Sequence, residues 1–211
     1  MKNILCFGDS NTFGSNPAGG RHPRDVRWTG RLQKMLGEEY YVIEEGMGGR
    51  TTVWDDPMEP NRNGLAFLPV ALQSHQPLDM VILSLGTNSC KAHFNASARV
   101  VASSINILCN EIKRFPYRAG YPIPKILIVS PIHIGDDVEN SPFIVFDQAS
   151  VAKSHELAPY VEKIAEQQDA LFVDASKAAV PSQLDQLHMD GENHRALAEK
   201  LCEVVREYFE G

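Results

Sequence analysis

The sequence predicts a three-layer α/β/α fold built on a mostly parallel five-stranded sheet. Three observations carry this. Five short apolar blocks each stop at a polar turn, helical periodicity fills the intervals between them, and no repeat or composition break interrupts the series. Residues 1–211 therefore read as one domain, long enough to bury a sizeable core.

The first strand is Ile4 to Phe7, halted by Gly8-Asp9-Ser10-Asn11. A Gly-, Pro- and Arg-rich loop, Ser15 to Arg24, leads to a helix over Trp28 to Leu36. Tyr40 to Ile43 is the second strand, ending at Glu44-Glu45-Gly46. A polar loop through Asp55-Asp56-Pro57 precedes a helix over Gly64 to Gln73. Asp79 to Leu85 is the third strand, stopped by Gly86-Thr87-Asn88. The helix that follows, Ala96 to Arg114, is expected to present Val100, Ile107, Leu108 and Ile112 on one face. Ile126 to Val129 is the fourth strand, stopped by Ser130-Pro131. A helix from Gln148 to Gln168, a short strand from Ala170 to Val173 and a last helix from Gly191, capped by Asp190, complete the chain. Right-handed crossovers bring the loops after the strands to one sheet edge, where ligands bind in open parallel sheets.

Composition excludes several classes of function. A formal net charge of -7 without a basic run argues against nucleic-acid binding. Apolar runs are too short to cross a bilayer, and Ile4 to Phe7 is too short for a signal-peptide core. Cys6, Cys90, Cys109 and Cys202 are dispersed, so neither a zinc site nor a disulfide framework is indicated, and a reducing cytoplasm is the expected location.

Chemistry can gather at the predicted sheet edge. Ser10 ends the first strand in a tight turn, where its hydroxyl can act as nucleophile and its N–H as an oxyanion donor. Taken alone, Gly8-Asp9-Ser10 reads equally well as a helix cap. Asp185 lies three residues before His188, a spacing at which a carboxylate holds one ring nitrogen and leaves the other free. His155 and His194 fall in helices without such a partner. Gly48 and Gly49 follow the second strand, where a backbone N–H can serve a developing anion, although a simple turn explains them too. Asn88, closing the third strand, can add a side-chain donor.

Four separated blocks together resemble the SGNH hydrolases, also called the GDSL esterase/lipase family. They are Phe7-Gly8-Asp9-Ser10, Gly46 to Thr52, Leu85-Gly86-Thr87-Asn88 and Asp185-Gln186-Leu187-His188, in the family's order and across nearly the whole chain. The segments Asp25 to Gly30 and Glu44 to Gly46 further resemble a subgroup of cytosolic aryl esterases and acyltransferases. The resemblance implies a flavodoxin-like SGNH hydrolase fold and hydrolysis of short-chain carboxylic esters, acetyl or aryl, through an acyl-enzyme. Acyl transfer to alcohols is a second outlet. It implies Ser10 as nucleophile, His188 as general base and then acid, and Asp185 as its orienting partner. The oxyanion donors it implies are the Ser10 N–H, the Gly49 N–H and the Asn88 side chain, with no cofactor. Three positions depart from the family pattern: Gly48 stands for the usual Ser, Ser89 for Asp, and Asn11 for Leu.

The main alternative is a catalytically inactive, flavodoxin-like protein that binds a small molecule or phosphate. Against it, no G-x-x-x-x-G-K-[ST] occurs, and Gly8 and Gly14 do not fit G-x-G-x-x-G. A metal-dependent hydrolase would need His133, Asp136 and Asp137, which lie in a predicted surface loop without ligand spacing, so no metal is expected. Pro131 to Phe146 is a long aperiodic stretch with exposed-looking Ile132, Ile134, Phe143, Ile144, Val145 and Phe146. It is expected to narrow the site over Phe13 and Trp54, or else to contact a second copy in a homo-oligomer. Asn11, Phe13, Trp54, Phe143 and Phe146 are the expected substrate contacts. The expected partner is a small-molecule ester, with neither nucleic acid nor membrane.

Overall fold

The computed structural model describes residues 1–211. One parallel sheet is formed by β1 (Lys2–Gly8), β2 (Tyr40–Gly46), β3 (Met80–Ser84), β4 (Lys125–Ser130) and β5 (Leu171–Asp174), in the order β2-β1-β3-β4-β5. The helices are α1 (Ser10–Phe13), a single turn, then α2 (Trp28–Leu36), α3 (Gly64–His75), α4 (Ala98–Arg114), α5 (Gln148–Gln167) and α6 (Gly191–Glu210). None is long and apolar enough to cross a membrane.

Strand alternation divides the core in two. Leu5, Phe7, Val81, Leu83, Ile126 and Ile128 face α3, α4 and α5. Ile4, Cys6, Met80, Ile82, Leu127 and Val129 face α2 and α6. All four cysteines are free and buried. The register aligns the strand ends: Gly8 pairs with Gly46 on one side and Ser84 on the other. A Cβ at Gly8 would lie 2.0 Å from Thr12 Oγ1 and 2.8 Å from Ser84 O, so only glycine lets the chain turn into α1 there.

Helix starts are set by side-chain caps: Asp9 for α1, Asn63 for α3, Ser97 for α4, Asp147 for α5 and Asp190 for α6. Three expectations need correction. The second strand continues past Ile43 to Gly46, because pairing with β1 persists through Glu44 and Glu45 despite their charge. The buried stripe of α4 is Val101, Ile105, Leu108 and Ile112, while Val100 and Ile107 are exposed. Two heptad-related positions were available to the pattern, and the sheet selects the one that also buries Ala102 and Cys109. Of the six apolar residues expected to be exposed between Pro131 and Phe146, Ile132, Ile134 and Phe146 are buried and only Ile144 is exposed. That loop is pinned to the core on both sides rather than laid over the surface.

Candidate active site

The sheet edge at Gly8, Gly46 and Ser84 opens into a cavity of about 320 Å³. Ser10, Gly48, Gly49, Asn88 and His188 line it, with Phe143, Val145 and Phe146 forming an apolar side. Five segments far apart in sequence therefore meet at one place.

Ser10 is the first residue of the single-turn α1, so its N–H has no partner within the helix. The preceding Asp9 caps the turn by accepting the Asn11 N–H at 3.0 Å. Burial pushes the Asp9 carboxyl up to about 6, against the lowering effects of that hydrogen bond and of His188 and Arg50.

His188 and Asp185 form a tight pair, with His188 Nδ1 2.7 Å from Asp185 Oδ2. The other carboxylate oxygen accepts the N–H groups of Leu187 (3.1 Å) and His188 (2.9 Å). Burial alone would push Asp185 up, but the His188 ring and these backbone donors outweigh it and hold the carboxyl below its usual range. A carboxylate at Nδ1 places the proton there and leaves Nε2 as an acceptor toward the cavity. The His188 and Phe143 rings meet in a T-shaped arrangement, centroids 5.3 Å apart.

Gly49 has φ of +74°, a conformation that favours glycine, and a Cβ there would meet Glu59 Oε2 and Arg62 Nε at 2.9 Å each. Its N–H donates to no other group of the chain. At Gly48 a Cβ would meet nothing within 4 Å, so the absence of a side chain there is not a packing requirement. Asn88 sits in the short 3-10 turn Thr87–Cys90 and gives one amide hydrogen to Arg50 O at 3.2 Å, leaving the other for the cavity. Arg50 is buried over the Phe7 ring and donates to Gly8 O at 2.9 Å and to Glu45 O, tying the ends of β1 and β2 together. Ser89 accepts from the Thr52 N–H at 3.0 Å, so the residue beside Asn88 supports the loop after β2.

Of the expected substrate contacts, Phe143 and Phe146 line the cavity and Asn11, Phe13 and Trp54 do not. Phe13 lies under the Arg21 guanidinium, 4.0 Å away, and Trp54 packs on Phe94 with centroids 5.8 Å apart. Asn11 is turned into the protein, toward Leu187 and Met189. His133, Asp136 and Asp137 line a separate surface depression with His155, and no cluster of three or more His, Cys, Asp or Glu is placed to hold a metal.

Sequence reading missed Glu59, Arg62 and Lys91, which also line the cavity. Lys91, with 2% of its side chain exposed, reaches Asp56 at 2.7 Å and Glu59 at 2.5 Å. Burial would raise Asp56, but the Lys91 ammonium outweighs it and holds the carboxyl low.

Comparison with known proteins agrees with this architecture. The native aryl esterase of M. smegmatis superposes with a TM-score of 0.91 at 38% identity, covering 98% of this chain and 99% of that one. Est24, a carbohydrate acetylesterase from Sinorhizobium meliloti, gives a TM-score of 0.92 at 33% identity over 99% and 100% of the two chains. A lipase/acylhydrolase from Enterococcus faecalis, at 18% identity and a TM-score of 0.70 over 99% and 97%, shares the fold. Nothing among curated proteins matches the chain at a significant level. The GDSL-like lipase/acylhydrolase family matches residues 6–196, from the strand that precedes Ser10 to the helix that follows His188, and the chain belongs to that family.

Proposed function

We propose that the protein hydrolyses short-chain carboxylic esters of small molecules through an acyl-enzyme on Ser10. The observation that carries this reading is the Asp185–His188 pair, which leaves Nε2 free toward the cavity that Ser10 also lines. Ser10 Oγ attacks the ester carbonyl carbon as its proton passes to His188 Nε2. The Ser10 N–H, the Gly49 N–H and the free Asn88 amide hydrogen hold the oxyanion. His188 then returns the proton to the leaving alcohol as the C–O bond breaks. Water, activated by the same imidazole, releases the acyl group, and an alcohol in its place gives acyl transfer. No cofactor enters these steps.

The names of the structural neighbours, an aryl esterase and a carbohydrate acetylesterase, support acetyl esters of aromatic or hydroxylated alcohols. The cavity supports a small acyl group, since Phe143, Val145 and Phe146 close one side of a space of about 320 Å³. Four buried free thiols support a cytoplasmic location.

The test is a panel of p-nitrophenyl esters and acetylated sugars, run with and without fluorophosphonate pre-treatment. kcat/KM should fall steeply beyond about four acyl carbons, because each methylene in a closed pocket shifts binding by ~1–3 kcal/mol. Octanoate hydrolysed as well as acetate would refute the narrow pocket. Shortening the loop around the exposed Ile144 should broaden acyl preference if it borders the site, and should change only the molecular mass if it joins two copies.

A further inference from the structure

The turn that carries His188 lies in the irregular stretch before α6, yet every backbone N–H and C=O of Leu187, His188 and Met189 has a partner. The Leu187 and His188 N–H groups go to Asp185 Oδ1, and His188 O accepts the Ser182 N–H at 2.8 Å. Met189 O lies 3.2 Å from His22 Nε2. The two remaining groups, Leu187 O and Met189 N–H, flank the histidine and are both taken by one side chain. Asn11 Nδ2 donates to Leu187 O at 3.2 Å, and Asn11 Oδ1 accepts from Met189 N at 3.0 Å. These complementary partners settle which end of the amide is oxygen and which nitrogen.

Asn11 is the residue directly after Ser10, is 8% exposed, and does not line the cavity. Its own N–H is held by Asp9. One side chain therefore leaves the nucleophile's turn and grips the base's turn on both sides of His188. We propose that Asn11 is a positioning residue that sets the placement of His188 relative to Ser10, and that it makes no contact with substrate. This rests on the assignment of Ser10 and His188 as nucleophile and base. A leucine, branched at the same atom but larger and apolar, would leave two buried backbone groups unpaired on either side of the imidazole. The turn would then settle elsewhere, and a misplacement of the base by about 1 Å costs on the order of 100-fold in rate.

The test uses Asn11→Leu, with Asn11→Asp as a near-isosteric second variant that keeps an acceptor for Met189 but loses the donor to Leu187. Two readouts are taken: hydrogen exchange over residues 182–190, and steady-state kinetics normalised to active sites titrated with fluorophosphonate. Faster exchange in that segment, a kcat about 10- to 100-fold lower and KM within twofold of the parent would bear the proposal out. Raised KM at constant kcat would mean that Asn11 touches substrate, and would overturn it. Unchanged exchange, or faster exchange with unchanged kcat, would overturn it as well. Exchange reports on the clamp whether or not Ser10 is the nucleophile. Labelling of the parent protein at another serine would count against the catalytic assignment alone.

Discussion

Asp185 meets His188 twice, through the ring at Nδ1 and through the backbone N–H, with one carboxylate oxygen assigned to each. The carboxylate thus fixes the ring's rotation and its tautomer together. Asp185→Asn keeps the shape but presents an amide that can turn its NH₂ toward Nδ1, moving the ring proton to Nε2. We expect kcat to fall on the order of 10³–10⁴-fold with the fold intact by circular dichroism. A loss below tenfold would mean that the tautomer is held by something else.

Asn88 gives one amide hydrogen to Arg50 O, and the other is the side-chain donor proposed for the oxyanion. Asn88→Ala should lower kcat by roughly 10²–10³, with a smaller effect on KM, as removal of one preorganised donor does. A change confined to KM would make Asn88 a substrate contact instead.

Lys91 and Asp56 form a pair almost closed to solvent at the cavity wall. Lys91→Met leaves the buried Asp56 carboxylate without its ammonium partner, with His93 Nε2 at 3.2 Å as its remaining ionisable neighbour, and should destabilise the protein by about 3–5 kcal/mol in urea denaturation. Adding Asp56→Leu should recover most of that loss, since removing both charges also removes the unpaired one. A double variant no more stable than Lys91→Met would contradict this account.

The Asp9 carboxyl, raised to about 6 in the folded chain from an ordinary 3.8, makes a signed prediction. Between those values the native state holds a proton that the unfolded chain has lost, so this group's contribution to stability falls as pH rises from about 4 to about 6. Above that range the buried charge costs on the order of 3 kcal/mol. Asp9→Asn should therefore be more stable than the parent at pH 7.5 and nearly equal to it at pH 4. The same difference at both pH values would contradict the raised carboxyl.

The parts of the site visible in sequence share one property: each is announced by its immediate neighbours. Ser10, Gly49 and Asn88 follow apolar strand blocks, and Asp185 and His188 sit one loop turn apart. Lys91 and Asp56 are 35 residues apart with no period linking them, so their pairing appears only once the strands order the loops. Asn11 carried the opposite difficulty. Its polarity beside Ser10 suggests a substrate contact, while its partner Leu187 O lies 176 residues away in sequence. The loop after β4 also hid its anchors, because Ile132 and Ile134 show too short a pattern to separate a buried edge from an exposed tip.

The most direct measurement is intact-protein mass spectrometry after fluorophosphonate treatment, followed by peptide mapping and ester hydrolysis, on the parent and on Ser10→Ala. The account predicts one adduct on Ser10 and complete loss of hydrolysis in the parent. In Ser10→Ala it predicts no adduct and no hydrolysis, with an unchanged Tm. An adduct on another serine, or ester hydrolysis by Ser10→Ala at the parent rate, would contradict it.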